Sequence, residues 1–345
     1  MRRRRRCVSA VRLRRFALLE KGKRVTSMSR SAALVAVSVA GLVLSAPIVH
    51  ADNVTATVPV GAGPTEVAVA PDGSRVYVTD YFDAAVTVVD TATGTVTATV
   101  PVGGYPTDVA IGPDGSRAYV TNSDDGTVSV LDTAAGTVVA TVPVGAGPEG
   151  VAVTPDGARA FVSNYDGGTV SVIDTRTDAV TATVPVGRLP SEVAITPDGT
   201  RVYVAEQGSN AVAVIDVATA TVVGSVPVGD GPFGVAITPD GTRAYVTAWD
   251  SDAVSVVALP VNAVVATVPV GDRPFGTAVT PDGTRAYVTN YASDTVSVLG
   301  TAVDAVVGNV VVGDSPSAVA ITPDGTRAYV SNYDGDSVSV VAIEP

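Results

Sequence analysis

The sequence is short of the side chains on which most enzymes depend. Its 345 residues hold one Cys, one His and two Met, and these are Cys7, His50, Met1 and Met28. Lys is also absent after residue 51. Residues 52–345 therefore allow no disulfide, no Ser-His-Asp triad, no thiolate nucleophile, no zinc site built on His or Cys, and no Schiff base. Carboxylate, Tyr and Arg chemistry is what remains. The missing disulfide does not assign the chain to the cytosol, because bacterial exported proteins need not use disulfides.

Positive charge is equally sparse in this region. Residues 52–345 carry ten Arg against 33 acids, a net −23, whereas residues 1–51 carry +11. An acidic body repels phosphate backbones and anionic headgroups, which argues against nucleic acid as a partner. Long apolar runs are missing too. Ala32–Leu44 spans 13 residues, short of the ~20 that a membrane span needs. With Arg30 before it, and Val49 and Ala51 at the −3 and −1 positions before Asp52, it reads as a secretory signal peptide. Residues 1–51 are expected to be that signal. Met28 reads as the true start and the Arg-rich residues 1–27 as an upstream extension. No membrane span is expected after cleavage.

What is abundant is Val, Ala and Thr, residues that suit a pleated surface. Their arrangement is periodic. The decapeptide Pro281-Asp282-Gly283-Thr284-Arg285-Ala286-Tyr287-Val288-Thr289-Asn290 has close copies starting at Pro71, Pro113, Pro155, Pro197, Pro239 and Pro323, always 42 residues apart. Residues 52–345 number 294, or seven such units. One unit, from Gly94, holds four apolar-alternating runs: Thr95 to Val102, Asp108 to Ile111, Arg117 to Thr121 and Thr127 to Leu131. Gly, Pro, Asn and Asp separate them. Four hairpin-connected strands per repeat make a propeller blade.

The expected fold is therefore all-β: a seven-bladed β-propeller over residues 52–345 with four antiparallel strands per blade. By analogy with other propellers of this period, the second, third and fourth runs are strands a, b and c from the axis outward. The first run is strand d of the preceding blade. A lone d strand, Val54 to Val60, then completes the last blade and closes the ring.

The run Tyr287-Val288-Thr289-Asn290, repeated at Tyr119 to Asn122 and nearly so elsewhere, resembles the YVTN-family β-propeller repeat. The resemblance covers residues 52–345. It implies a bacterial or archaeal exported or surface-layer protein, and it implies no particular activity, because propellers host many unrelated functions.

Comparing the seven copies separates frame from site. Pro-Asp-Gly forms the a–b turn in all seven, and Arg75, Arg117, Arg159, Arg201, Arg243, Arg285 and Arg327 follow it. Features present in every blade read as structural. Variation falls on the d–a and b–c loops, at the other end of the blades, where function is expected. Before strand a stand Glu66, Asp108, Glu149, Glu192, Phe233 and Phe275. Glu206 and Ala248 replace the Asn or Asp of the other copies. Trp249, the only Trp, joins Arg188 and Arg273 on this face. The expected binding residues are Arg188, Glu192, Glu206, Phe233, Trp249, Arg273 and Phe275, as exposed aromatics beside Arg, with Glu66 and Asp108 as acids at the channel mouth. Packing of Phe233 and Phe275 beneath their loops is the competing reading.

No catalytic residue and no metal ligand is assigned. Asp124-Asp125, Asp250-Ser251-Asp252 and Asp334-Gly335-Asp336 offer oxygens to calcium, but none has the spaced Asp and distal Glu of a helix-loop-helix site. Solvated acidic loops are the simpler reading, and no other cofactor is expected. The leading function is an exported, monomeric, non-catalytic scaffold that binds a protein, peptide or glycan of the cell envelope. The alternative is a propeller enzyme of the lactonase, glycosidase or quinoprotein type that uses carboxylate, Tyr or Arg groups.

Overall fold

The computed structural model describes residues 52–344. The signal peptide expected over residues 1–51 lies outside the described residues. Each 42-residue unit folds as four antiparallel strands, and seven four-stranded sheets result. Blade one is β2 (Pro64–Val69), β3 (Arg75–Asp80), β4 (Ala85–Asp90) and β5 (Thr95–Pro101). Blade seven is β26 (Pro316–Ile321), β27 (Arg327–Asn332), β28 (Ser337–Ala342) and β1 (Asn53–Pro59), in the order β1-β28-β27-β26. The first strand thus completes the last blade, with Val54 opposite Val341 and Val58 opposite Val338. This closure covers the outer edge of β28, which would otherwise be open to foreign strands.

The innermost strands of the middle blades are β6 (Pro106–Ile111), β10 (Pro148–Val153), β14 (Pro190–Ile195), β18 (Pro232–Ile237) and β22 (Pro274–Val279). Each begins at a Pro, two residues earlier than the alternation of the sequence indicates. Pro fits there because the strand is a sheet edge, where its missing N–H costs no ladder bond. Glu66, Asp108, Glu149, Glu192, Phe233 and Phe275 therefore lie within inner strands and not in the loops before them.

All seven inner strands carry a bulge. Pro64 pairs with Asp80, but the next pair is Val67 with Val78, and the same skip recurs in every blade. A bulge re-aims side chains and leaves a residue unpaired. The unpaired amides are taken up by hydroxyls of the second strand: Glu66 N–H by Thr79, Asp108 by Thr121, Gly150 by Ser163, Gly234 by Thr247, Gly276 by Thr289 and Ala318 by Ser331. Several of these hydroxyls also donate to the next blade. Thr121 reaches the Glu149 carbonyl at 2.9 Å, Thr247 that of Phe275 at 2.6 Å and Thr289 that of Ser317 at 2.9 Å. Each is a relay that ties a bulge to its neighbour. Thr289→Val is expected to leave two polar groups unpaired and cost about 2 kcal/mol, read as a lower urea midpoint. An unchanged midpoint would show that the relay is dispensable.

Blades pack face to face through Val and the second-strand aromatics. Tyr77 of blade one, 3% exposed, packs with Val109, Ala118, Val120 and Leu131 of blade two. At the a–b turn end, Asp72 accepts the Ser74 amide at 2.9 Å and Gly73 sits at φ 72°, a conformation that favours Gly. The arginines of this end bond outward. Arg117 pairs with Asp178 at 3.0 Å, Arg243 with Asp304 at 2.7 Å and Arg201 with Asp216 of its own blade. Arg75, Arg159 and Arg327 donate to the carbonyls of Thr133, Val217 and Thr91. This end repeats one frame seven times.

Candidate functional site

At the opposite end, the d–a and b–c loops meet. Tyr81 N–H bonds Gly63 O, and Phe82 N–H bonds Ala62 O. In four blades the second strand ends in an Asn that ties these loops together. Asn122 accepts from Gly103 N–H at 3.0 Å and donates to Thr127 and Ser129. Asn164, Asn290 and Asn332 repeat the arrangement. The loop passes so close that a Cβ on Gly103 would lie 2.5 Å from the Asn122 side chain.

Three blades depart from this tie. Glu206 accepts Gly187 N–H and is 5% exposed. It fills the Asn place as a buried loop tie and does not present itself as an exposed ligand group. Burial raises its pKa, opposed by the Gly187 amide. Ala248 has no side chain to offer, and Ser255 takes the Gly229 amide instead. Asp80 is fully buried. Its Oδ2 accepts from Thr87 at 2.6 Å, and its Oδ1 has no partner among the described residues. Burial pushes its pKa up to about 6.

The b–c loop acids are engaged by backbone amides. Asp83 accepts from Ala62 N–H, Asp125 from Gly104, Asp252 from Arg273 and Asp336 from Gly63. Among the described residues, no group of three or more His, Cys, Asp or Glu is placed to hold a metal ion.

The axial channel narrows to a cavity of about 190 Å³ to which every inner strand contributes. Glu66, Asp108 and Glu192 line it from blades one, two and four; Gly234, Gly276, Thr277 and Ala318 line it from blades five to seven. The two predicted mouth acids thus share one cavity with Glu192. Asp108 is 6% exposed, and its Oδ2 accepts Val151 N–H at 2.6 Å. Glu66 and Glu192 keep some accessible surface and line this cavity. Burial first, and then the Asp108 charge, holds both well above the usual carboxylate range. Burial pushes Asp108 up to about 7, against the Val151 and Val109 amides.

These shifts have a sign. A carboxyl with a raised folded pKa binds more protons folded than unfolded, so stability falls as pH rises. For Asp108 the window runs from about 4, its ordinary value, to about 7. The urea midpoint is expected to be higher at pH 5 than at pH 8, and Asp108→Asn should shrink the difference. A midpoint that rises across this range would contradict the assignment.

The face also carries an arc of aromatic rings. Phe233 and Phe275 stack across the blade five–six boundary with centroids 3.8 Å apart. Trp249 meets Phe275 edge-on at 5.6 Å and Tyr291 at 5.4 Å. Tyr291 continues to Tyr333 at 6.3 Å, Tyr333 to Phe82 at 5.9 Å, and Tyr81 stacks on Tyr105 at 4.7 Å. Arg273 lies over the Trp249 ring, 5.5 Å from its centroid. Phe233, Phe275, Trp249 and Arg273 are therefore brought together. Arg188 is exposed on the blade four loop, apart from this group. Trp249 is only 5% exposed, so it is a packed platform and not the exposed anchor expected from the sequence. Phe233 and Phe275 are half-buried, and Phe82 is the open ring at 44%. Tyr81, Phe82, Tyr105, Tyr291 and Tyr333 were not among the expected site residues. The signal was present: the residue after the loop-tying position is aromatic in five of seven repeats.

Comparisons with known proteins agree with this architecture. A family model described as Lactonase, 7-bladed beta-propeller matches residues 175–268. A second, the Cytochrome D1 heme domain, matches residues 106–203. Each covers less than half of the chain. No curated protein matches. A solved chain titled Kuenenia stuttgartiensis Hydrazine Synthase is 25% identical, with a TM-score of 0.75 over 88% of this chain and 99% of that one. The fold is a seven-bladed β-propeller.

Proposed function

We propose that this protein is an exported binding propeller of the YVTN-repeat kind, monomeric in the cell envelope or outside the cell. Its loop-bearing end takes a protein, peptide or glycan of the envelope. The observation that supports this reading is the contrast between the two ends. The turn end repeats one Arg-and-turn frame seven times, while the loop end gathers an aromatic arc beside an acidic channel. Aromatic faces give contact area at low entropy cost and suit both peptide and sugar partners.

The test is affinity capture from the envelope of the producing organism with the intact protein and with a variant carrying Phe82→Ala, Arg188→Ala and Arg273→Ala. Partners captured by the parent should be depleted roughly tenfold or more by the variant, since interface anchors are worth ~2 kcal/mol or more in total. Equal capture by both sinks the assignment of this face.

A second reading, an enzyme, is favoured by the lactonase-type match, whose residues include Glu192. A carboxyl that burial holds above the usual carboxylate range, as it holds Glu192, is suited to general acid–base work. Under this reading a lactone hydrolysis screen finds turnover that Glu192→Gln abolishes. No turnover across lactone and glycoside substrates leaves the binding reading alone.

A further inference from the structure

The turn end repeats its frame, but one position of the repeat does not keep its residue. Asp52, Gly94, Gly136, Asp178, Ala220, Asn262 and Asp304 occupy that position, 42 residues apart. Wherever it is Asp, the carboxylate sits against the frame arginine of the blade before. Asp178 pairs with Arg117 at 3.0 Å, Asp304 with Arg243 at 2.7 Å and Asp52 with Arg285 at 3.3 Å. The second-strand tyrosine adds its hydroxyl: Tyr245 donates to Asp304 at 3.4 Å and Tyr287 to Asp52 at 2.6 Å. Three clefts between blades thus hold a carboxylate beside an Arg and a Tyr.

At Arg75 and Arg327 the same place is open. The residues opposite are Gly136 and Gly94, and a Cβ at either would meet no atom within 4 Å. Arg75 and Arg327 are exposed, whereas Arg117, Arg243 and Arg285 are half-buried. Among the described residues neither Arg75 nor Arg327 has an ion-pair partner, and no hydrogen bond engages the hydroxyl of Tyr77 or Tyr329. Each Arg donates to a backbone carbonyl of the facing turn, Arg75 to Thr133 at 2.8 Å and Arg327 to Thr91 at 2.7 Å. That bond does not take the carboxylate's place. Arg117 and Arg243 make the equivalent bonds, to Thr175 and Thr301, at 2.9 Å and keep their Asp as well. Arg201, for which the position is Asn262, turns to Asp216 of its own blade. The counterpart of Asp216 is Ala342 for Arg327 and Asp90 for Arg75. Asp90 is held by the Ala92 and Thr93 amides of its own turn.

We propose that the turn-end clefts at Arg75 and Arg327 each bind a carboxylate from outside the chain, seated as Asp178, Asp304 and Asp52 are in theirs. The Arg supplies charge-assisted donors, and Tyr77 or Tyr329 supplies a hydroxyl. The cleft at Arg75 has a volume of about 450 Å³, against about 340 Å³ at Arg117. Ala70, Pro71 and Ala134 give it an apolar side. Asp72 and Asp114 line it too, but their counterparts Asp114 and Asp156 line the Arg117 cleft, where a carboxylate is paired nonetheless. Two sources share this chemistry: an acidic side chain of a partner protein and a free small carboxylate. These clefts lie at the end of the ring opposite the loop face, so the inference goes beyond the reading above and does not rest on it.

The test is a nuclear magnetic resonance titration of the intact protein labelled in arginine, reading the side-chain Nε–H signals. The titrants are sodium acetate and, separately, acetyl-alanyl-aspartyl-alanine amide, with sodium chloride at matched ionic strength as the reference. The Arg75 and Arg327 signals are expected to shift saturably with either carboxylate and not with chloride, while those of Arg117 and Arg243 do not move. A single exposed pair is weak, so half-saturation with acetate needs millimolar concentrations or more. Gly136→Asp should abolish the Arg75 response and leave that of Arg327; Gly94→Asp should do the reverse. Both variants copy Asp178, whose φ is 52°, a conformation that Asp tolerates, so the fold is retained. Tyr77→Phe should weaken the Arg75 response about threefold. Tighter binding of the peptide identifies a partner's acidic side chain as the source; tighter binding of acetate identifies a free carboxylate. No saturable shift, an equal shift at Arg117, or a response that survives the matching Asp substitution overturns the proposal for that cleft.

Discussion

Deleting residues 52–60 is expected to abolish the closed ring. The deletion removes β1, and with it the fourth strand of blade seven. It also removes Asp52, whose carboxylate is a clasp. Asp52 accepts from the Tyr287 hydroxyl at 2.6 Å and from Glu344 N–H at 2.9 Å, and pairs with Arg285 at 3.3 Å. One side chain thus joins the start of the described chain, its end, and blade six. The deleted protein exposes β28, whose residues Ser337–Val341 are buried in the closed ring. Loss of the sharp thermal transition and aggregation on size exclusion are the expected readouts. Asp52→Ala tests the clasp alone. The Asp52 side chain is 6% exposed and that of Arg285 is 23%. Breaking such a pair leaves a partly buried cation and a Tyr hydroxyl without this partner. The expected loss is about 2–4 kcal/mol, somewhat below a fully buried pair because Arg285 retains solvent contact. A deletion variant that stays monomeric with an unchanged midpoint would mean that closure contributes nothing.

Asp80→Asn is expected to do the opposite and stabilise the protein. Asn would restore the tie of blades two, three, six and seven, with an amide able to donate to Thr87 as Asn122 donates to Ser129. It would also remove a carboxylate that burial, and the nearby Asp83 charge, make costly to ionise. The folded pKa of about 6 lies above the ordinary value of about 4. The folded state therefore binds more protons, and the wild-type protein loses stability as pH rises between those values. Above that window the loss amounts to roughly 2–3 kcal/mol. The variant should gain about that much at pH 7.5 and little at pH 4, so the two stability curves converge toward acid. A constant gain at every pH would place the effect in packing and not in ionisation.

Much of this was legible in the residues. The 42-residue spacing, the turn chemistry of Pro-Asp-Gly and the lone first strand were enough to anticipate seven blades and their closure. The end at which copies differ also followed from comparing them. What escaped was the direction of individual side chains. A bulge near the start of each inner strand moves Glu66, Asp108 and Glu192 toward the axis, and strict alternation cannot show a bulge. Trp249 reads as exposed because it stands in a polar loop. It is covered because Tyr291, Phe275 and Arg273 arrive from the next blade, 24 to 42 residues on.

The repeated Tyr-Val-Thr-Asn shows the same division. By itself the sequence determined that this run is frame, because it recurs in blade after blade. The tertiary structure decided what each residue does there. Tyr packs into the next blade, Val fills the sheet interface, Thr relays a hydrogen bond from the bulge to a neighbouring carbonyl, and Asn ties two loops. The partners of Thr289 lie 13 and 28 residues away along the chain, that of Asn290 lies 19 away, and the next-blade residues that Tyr287 packs against lie 32 or more away. Local propensity carries no record of such partners; they are set when the ring closes and brings each inner strand beside the next.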